Sequence, residues 1–285
     1  MTQFPAGLEA IIGDVDLVVM DLWGCMHDGI KAYPAAVETL RRLKQCRIPV
    51  ALVSNAPRRI ETVRPRLQEM GIGDDLYEGF YTSGEEVWNH IARRDLPGYA
   101  ALGEKAYQII GAQDRTFTHG LELDVVHDID HADFLLVLGV ASPDDRVADF
   151  MPVLEKARAR NLTLVCANPD LVVHRGGVAE ICAGAIAESY QQMGGSILIE
   201  GKPHAGIYRR VLADFGVPAE RLIGIGDALR TDVAGAKGIG AKSLLIGGGI
   251  HHAVLLTAQG IDQAALAKLV AGGPQPDFVL PYLRW

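Results

Sequence analysis

Asp21, Ser54, Lys202, Asp227 and Asp232 are residue types that, brought together, could move a phosphoryl group. Asp21 directly follows the apolar run of VVMDLWG, which predicts a carboxylate at the carboxyl end of a buried strand, where open α/β sheets hold their sites. There it can attack phosphorus and form an acyl phosphate, splitting one hard displacement into two easier ones. Taken alone, an Asp after a strand is more often a turn residue or helix cap, so the argument rests on its companions.

The segment PVALVSNAPR repeats the pattern, with Ser54 and Asn55 after a second apolar run. A hydroxyl and backbone N–H groups there could hold a phosphoryl oxygen, and capping of the next helix accounts for them equally well. In LIEGKPHAGIY, Lys202 stands between Gly201 and Pro203 ahead of a helical pattern. A fixed ammonium there would neutralise phosphate charge, whereas an ordinary solvated lysine needs no such rigid flanks. RLIGIGDALRTD is the most informative stretch: a strand ends in Gly226-Asp227, and Asp232 follows five residues later. Acids gathered beside a nucleophilic Asp raise one another's pKa unless a cation joins them. Mg²⁺ suits the role, because it takes one or two carboxylates, keeps several waters and bridges to phosphate.

The elements that must position these residues follow the rhythm of a parallel sheet with helices on its faces. Strands are predicted over 15–20, 49–53, 134–138, 162–166, 221–225 and 242–246, and helices over 35–45, 146–160, 179–193 and 204–215. The chemical residues fall near the two ends of the chain, which predicts a Rossmann-like α/β core (1–82 and 196–285) carrying an inserted α/β cap domain (83–195), with the site in the cleft between them. One continuous doubly wound domain is the alternative.

The four segments occur in the order and strand-end settings of the four motifs of the haloacid dehalogenase-like (HAD) superfamily, which the chain resembles over nearly its whole length. With TSGEE, CANPD and GKPHAGIY, it is similar to the class IIA branch of p-nitrophenyl, sugar, nucleotide and pyridoxal phosphatases. The resemblance implies Asp21 as nucleophile and metal ligand, Ser54 as phosphate-binding hydroxyl, Lys202 as charge-neutralising lysine and Asp227 with Asp232 on the Mg²⁺ side. It also gives the backbone carbonyl of Trp23 to the metal and turns Asn55, Asn168, Asp170 and Arg175 toward substrate, although a plain connecting loop explains the last three equally well.

One position departs from the pattern. The second residue after the nucleophile is usually an Asp that protonates the leaving oxygen, and here it is Trp23. An indole cannot serve as acid or base at ordinary pH. His27 and Asp28 are nearby, but their spacing alone does not supply the geometry. Elsewhere, GGGIHH (247–252) reads as a surface turn after the last core strand, and His119, His127 and His131 as solvated loop histidines.

A net charge of -8 without a basic run argues against nucleic acid and anionic membranes. No apolar stretch approaches the roughly 20 residues of a membrane span, and the N-terminal segment lacks the marks of a signal peptide, so the expected address is cytoplasmic. The four cysteines form no CxxC pair and read as reduced core or near-core thiols. The sequence therefore implies a Mg²⁺-dependent phosphatase-type hydrolase of a small phosphorylated metabolite, with self-association open. Its rivals are a binding protein that keeps the phosphate site without turnover, and a metal-independent dehalogenase, which fits the crowded acids and Lys202 poorly.

Overall fold

The computed structural model describes residues 2–111, 116–175 and 178–285, with the side chains of His174 and Arg175 outside that description. The strands in chain order are β1 (Leu17–Met20), β2 (Val50–Ser54), β3 (Gly79–Thr82), β4 (Lys105–Ile109), β5 (Asp124–Val126), β6 (Phe134–Val137) and β7 (Thr163–Cys166). They continue as β8 (Val172–Arg175), β9 (Val178–Ile181), β10 (Ser196–Ile199), β11 (Leu222–Gly226), β12 (Lys242–Ile246), β13 (Leu256–Thr257), β14 (Gly260–Ile261) and β15 (Phe278–Leu280).

The chain divides into two compact units. The first comprises Met1–Ser54, Val63–Tyr81 and Lys202–Trp285, and holds a six-stranded sheet in the order β15-β12-β11-β1-β2-β3. Its central pairings are parallel, with Leu17 opposite Leu222 and Met20 opposite both Ile225 and Leu52. Every residue of β1, β2 and β11 is buried, which is why these strands read as continuous apolar runs rather than alternating ones. Helix Pro34–Gln45 starts on Pro34 and buries Ala36, Val37, Leu40 and Leu43, one stripe at helical spacing. Gly224 lets the short helix Ala234–Gly238 approach β11, because a Cβ there would lie 2.8 Å from that of Ala236.

The second unit comprises Asn55–Thr62 and Thr82–Gly201. Its five-stranded sheet runs β10-β7-β6-β4-β5, with all pairings parallel. Leu135, Val137, Leu164 and Ile186 pack on one face, and Val87, Phe134, Leu136 and Val165 on the other, so this sheet too is clothed on both sides. Fold class is thus the expected one: a parallel-sheet α/β core interrupted by an inserted α/β unit.

Two local expectations fail. The helix predicted over 179–193 begins only at Ala183, because residues 178–181 pair antiparallel with 172–175 as a hairpin. Two short runs that begin on β-branched valines, VVHR and VAEI, carry that hairpin, and the apolar spacing of the following helix masked it. The last core strand is β15 rather than β12, since Phe278–Leu280 pairs with Leu244–Ile246. Three cysteines are buried, whereas Cys46 lies at the surface. Among the described residues no helix is long and apolar enough to cross a membrane.

Candidate active site

Four of the sequence-chosen residues meet in the first unit. The Asp21 amide donates to the Ile225 carbonyl at 2.9 Å, so its side chain leaves the sheet at the very end of β1. Lys202 Nζ donates to Asp21 Oδ1 at 2.5 Å and to Asp232 Oδ1 at 2.7 Å. Asp227, after β11, accepts the Ile250 N–H on Oδ2 at 2.7 Å. Asp232 lies in a π-helical turn, Leu229–Val233, and accepts the Ala228 N–H on Oδ2 at 3.0 Å. All four side chains are buried, and Asp21, Asp227 and Asp232 each offer an oxygen within 4.8 Å of the other two.

Three carboxyl groups face one ammonium, so acids outnumber the cation in this buried cluster. Burial first, then the charges of Asp21 and Asp232, push the Asp227 pKa well above the carboxylate range, against the pull of the Ile250 N–H and Lys202. Burial alone would lower the pKa of Lys202, but the attraction of Asp21 and Asp232 outweighs it and holds the pKa well above that of a free lysine. The donor set therefore fits a divalent cation, whose charge would balance the excess and whose preference is for oxygen. Three glycines make the crowding feasible: a Cβ on Gly24 or Gly249 would run into the Asp227 carboxylate, and one on Gly226 into that of Asp232. The GGGIHH turn thus has a role that sequence reading missed. Gly249 and the Ile250 N–H hold Asp227, and His251 Nε2 accepts the Leu229 N–H at 3.4 Å. A triple glycine directly after a buried strand was the available signal.

Trp23 is half-buried; its ring meets His27 edge-on, 5.4 Å between centroids, and covers Gly29. The neighbours that could replace an acid are engaged otherwise. His27 accepts the Gly29 N–H on Nδ1 at 3.0 Å, and burial brings its pKa down to about 4. Asp28 Oδ1 accepts the Ile30 and Lys31 N–H groups, each at 2.9 Å, and these bonds, Lys31 first, lower its pKa. Asp28 closes a turn; it is not held in the protonated form that an acid needs.

Ser54 ends β2 in the first unit and is buried. Asn55, Asn168 and Asp170 belong to the second unit, where Asn55 Nδ2 donates to Asp170 Oδ1 at 2.8 Å and the Asp170 N–H donates to Asn168 Oδ1 at 2.9 Å. Arg175 pairs through its backbone with Val178 in the hairpin, and its side chain lies outside the described residues.

Comparison with known proteins defines the family. The haloacid dehalogenase-like hydrolase family matches residues 92–240, a second family of the same description matches 18–123, and a HAD-hydrolase-like family matches 199–285. A crystal structure of a haloacid dehalogenase-like hydrolase from Brucella suis 1330 superposes with a TM-score of 0.83 at 30% identity, covering 98% of this chain and 100% of that one. Ribonucleotide monophosphatase NagD of Escherichia coli K12 is 25% identical over 252 residues, 85% of this chain and 89% of its own length. Chronophin of Rattus norvegicus is 25% identical over 296 residues, 97% of this chain and 87% of its own length. The chain belongs to the haloacid dehalogenase-like hydrolases. It is an enzyme of the class that its four motif segments imply.

Proposed function

We propose that the protein is a Mg²⁺-dependent phosphatase acting on a small phosphorylated metabolite through a phospho-Asp21 intermediate. The observation that carries this reading is the buried Lys202 ammonium bonded to both Asp21 and Asp232, with Asp227 completing a cluster of three acids about one cation. The kinship with NagD, named a ribonucleotide monophosphatase, supports a phosphate ester as substrate.

In this mechanism an Asp21 oxygen forms a bond to phosphorus as the bond to the leaving oxygen breaks. Water then attacks the same phosphorus, the Asp21–phosphorus bond breaks, and inorganic phosphate departs with the Asp21 carboxylate restored. Lys202 orients Asp21 and offsets the charge of the phosphoryl oxygens, and Ser54 and the backbone at Asn55 hold one of those oxygens. Asp21, Asp227, Asp232 and the Trp23 carbonyl would hold Mg²⁺, which when bound supplies positive charge to the phosphoryl oxygens. Trp23 brings no proton to the leaving oxygen, which favours aryl, acyl and anhydride leaving groups over alkyl ones. The inserted unit, for which we propose the boundaries 83–195, would supply specificity through Asn168 and Arg175.

The same Trp23 favours a second reading, a protein that binds the phosphorylated metabolite with weak or no turnover. A screen of phosphorylated metabolites with Mg²⁺, reading phosphate release and using Asp21→Asn as the blank, separates the two. Release that needs both Mg²⁺ and Asp21 supports the enzyme; binding without release across the panel supports the binder. We place the protein in the cytoplasm, with no nucleic-acid partner.

A further inference from the structure

A knot of polar contacts in the second unit converges on Asn55. Its amide nitrogen donates to Asp170 Oδ1 at 2.8 Å, and Asp170 is itself set by its N–H bond to Asn168 Oδ1 at 2.9 Å. Held that way round, the amide oxygen of Asn55 faces Gly201, where a Cβ would stand 2.6 Å from Oδ1 and 2.7 Å from Ser83 Cβ. Gly201 also has φ +106, a conformation natural to glycine. Ser83 Oγ donates to the Ala167 carbonyl at 2.5 Å and lies 3.2 Å from that of Ala56. Two helices start hard against the same loops: a Cβ on Gly84 would strike the backbone of Arg58, and one on Gly184 would stand 2.5 Å from the Pro169 and Asp170 carbonyls.

Chain adjacency gives the knot its meaning, since Asn55 is the residue after Ser54 and Gly201 the residue before Lys202. We propose that Asp170 is a positioning residue: by fixing the Asn55 side-chain amide against Gly201 it sets the two segments that carry Ser54 and Lys202. Asp170 thereby acts on phosphate binding through Asn55 rather than by touching the ligand. The functional half of this inference rests on the reading of Ser54 and Lys202 as phosphate-holding groups; the structural half does not.

Asp170→Ala removes the acceptor, and Asp170→Asn keeps an oxygen that the Asn55 amide can still meet. Hydrogen exchange over 52–56 and 200–204, and calorimetric binding of inorganic phosphate in the presence of Mg²⁺, are read in full-length protein. The expected result is exchange about tenfold faster in both segments and phosphate binding about tenfold weaker for Asp170→Ala, the scale of one lost hydrogen bond, with Asp170→Asn near wild type. Should Asp170→Ala fail to fold, Asn55→Asp places two carboxyl groups together and loosens both segments, and adding Asp170→Asn reverses the polarity of the bond and restores them. Unchanged exchange in either segment, or no restoration in the reversed pair, overturns the proposal. Faster exchange in both segments of a protein whose wild type binds no phosphate would uphold the positioning role and instead sink the phosphatase reading.

Discussion

The carboxylate cluster of the first unit and the amide knot of the second are both built by glycines that let polar groups crowd, yet they are balanced in opposite ways. Around Asp227, Gly24 and Gly249 give way to a carboxyl group, and the result is three buried acids gathered about one ammonium. Around Asn55, Gly84, Gly184 and Gly201 give way to backbone and amide groups, and the Asn55 amide, the Ser83 hydroxyl and the Asp170 N–H each meet an acceptor. Close packing alone therefore does not mark a reactive site. The cluster in which acids outnumber the cation is the one whose donors suit a metal ion, and the paired knot ties neighbouring loops together.

The largest expected effect tests the unbalanced side. Asp21→Asn should lower phosphate release by at least about 10³-fold, as loss of a nucleophile does, with the circular dichroism of the folded protein unchanged because the side-chain volume is kept. Substantial turnover in that variant would assign the chemistry elsewhere. Next comes the missing acid, where a general acid typically contributes about 10²- to 10⁴-fold. Wild type should cleave p-nitrophenyl or acetyl phosphate far better than glycerol phosphate at saturating Mg²⁺, and Trp23→Asp should narrow that preference. Equal wild-type rates on alkyl and aryl esters would reveal another proton donor.

A smaller change is expected for Asp227→Asn, which takes one charge from the cluster and should weaken the Mg²⁺ dependence and the activity together by roughly 10- to 100-fold. An unchanged metal titration would remove Asp227 from the metal set. The smallest effect probes the balanced side. Glu200, which accepts from Tyr99 Oη at 3.2 Å, has its pKa raised chiefly by burial, with His90 and Tyr99 pulling down and Glu86 and Asp95 pushing up. A carboxyl with a raised folded pKa stabilises most below its unfolded pKa, and that contribution is lost as pH rises through the folded value. Glu200→Gln should therefore raise the melting temperature at neutral pH and flatten its dependence between mildly acidic and neutral pH. A lower melting temperature at pH 7 would show that the ionised form is the stabilising one.

How far the sequence could be read depended on where each residue's partners lie. Asp21, Ser54 and Asp227 stand out because an apolar run buried on both faces stops at a polar residue, a purely local mark. Lys202 was legible from its rigid flanks, and it meets Asp21 and Asp232 in the same cluster. Strand β5 was not legible, being three residues at a sheet edge of which two are exposed, and β8 and β9 are four residues each, with a helix following β9 at once. The role of Ile250 was hidden for another reason, since its N–H serves a carboxylate 23 positions earlier in the chain. The Asn55–Asp170 bond spans 115 positions, and each residue taken singly reads as an ordinary loop asparagine or aspartate.

The π-helical turn at Leu229–Val233 makes Ala228 a clasp for Asp232. The Ala228 carbonyl accepts the Asp232 N–H at 3.0 Å, four residues on as in an ordinary helix, and the Val233 N–H at 3.2 Å, five residues on. The Ala228 N–H in turn donates to Asp232 Oδ2 at 3.0 Å. A single loop residue thus grips both the backbone and the side chain of the second acid, so a change in the backbone at position 228 alone would reach it.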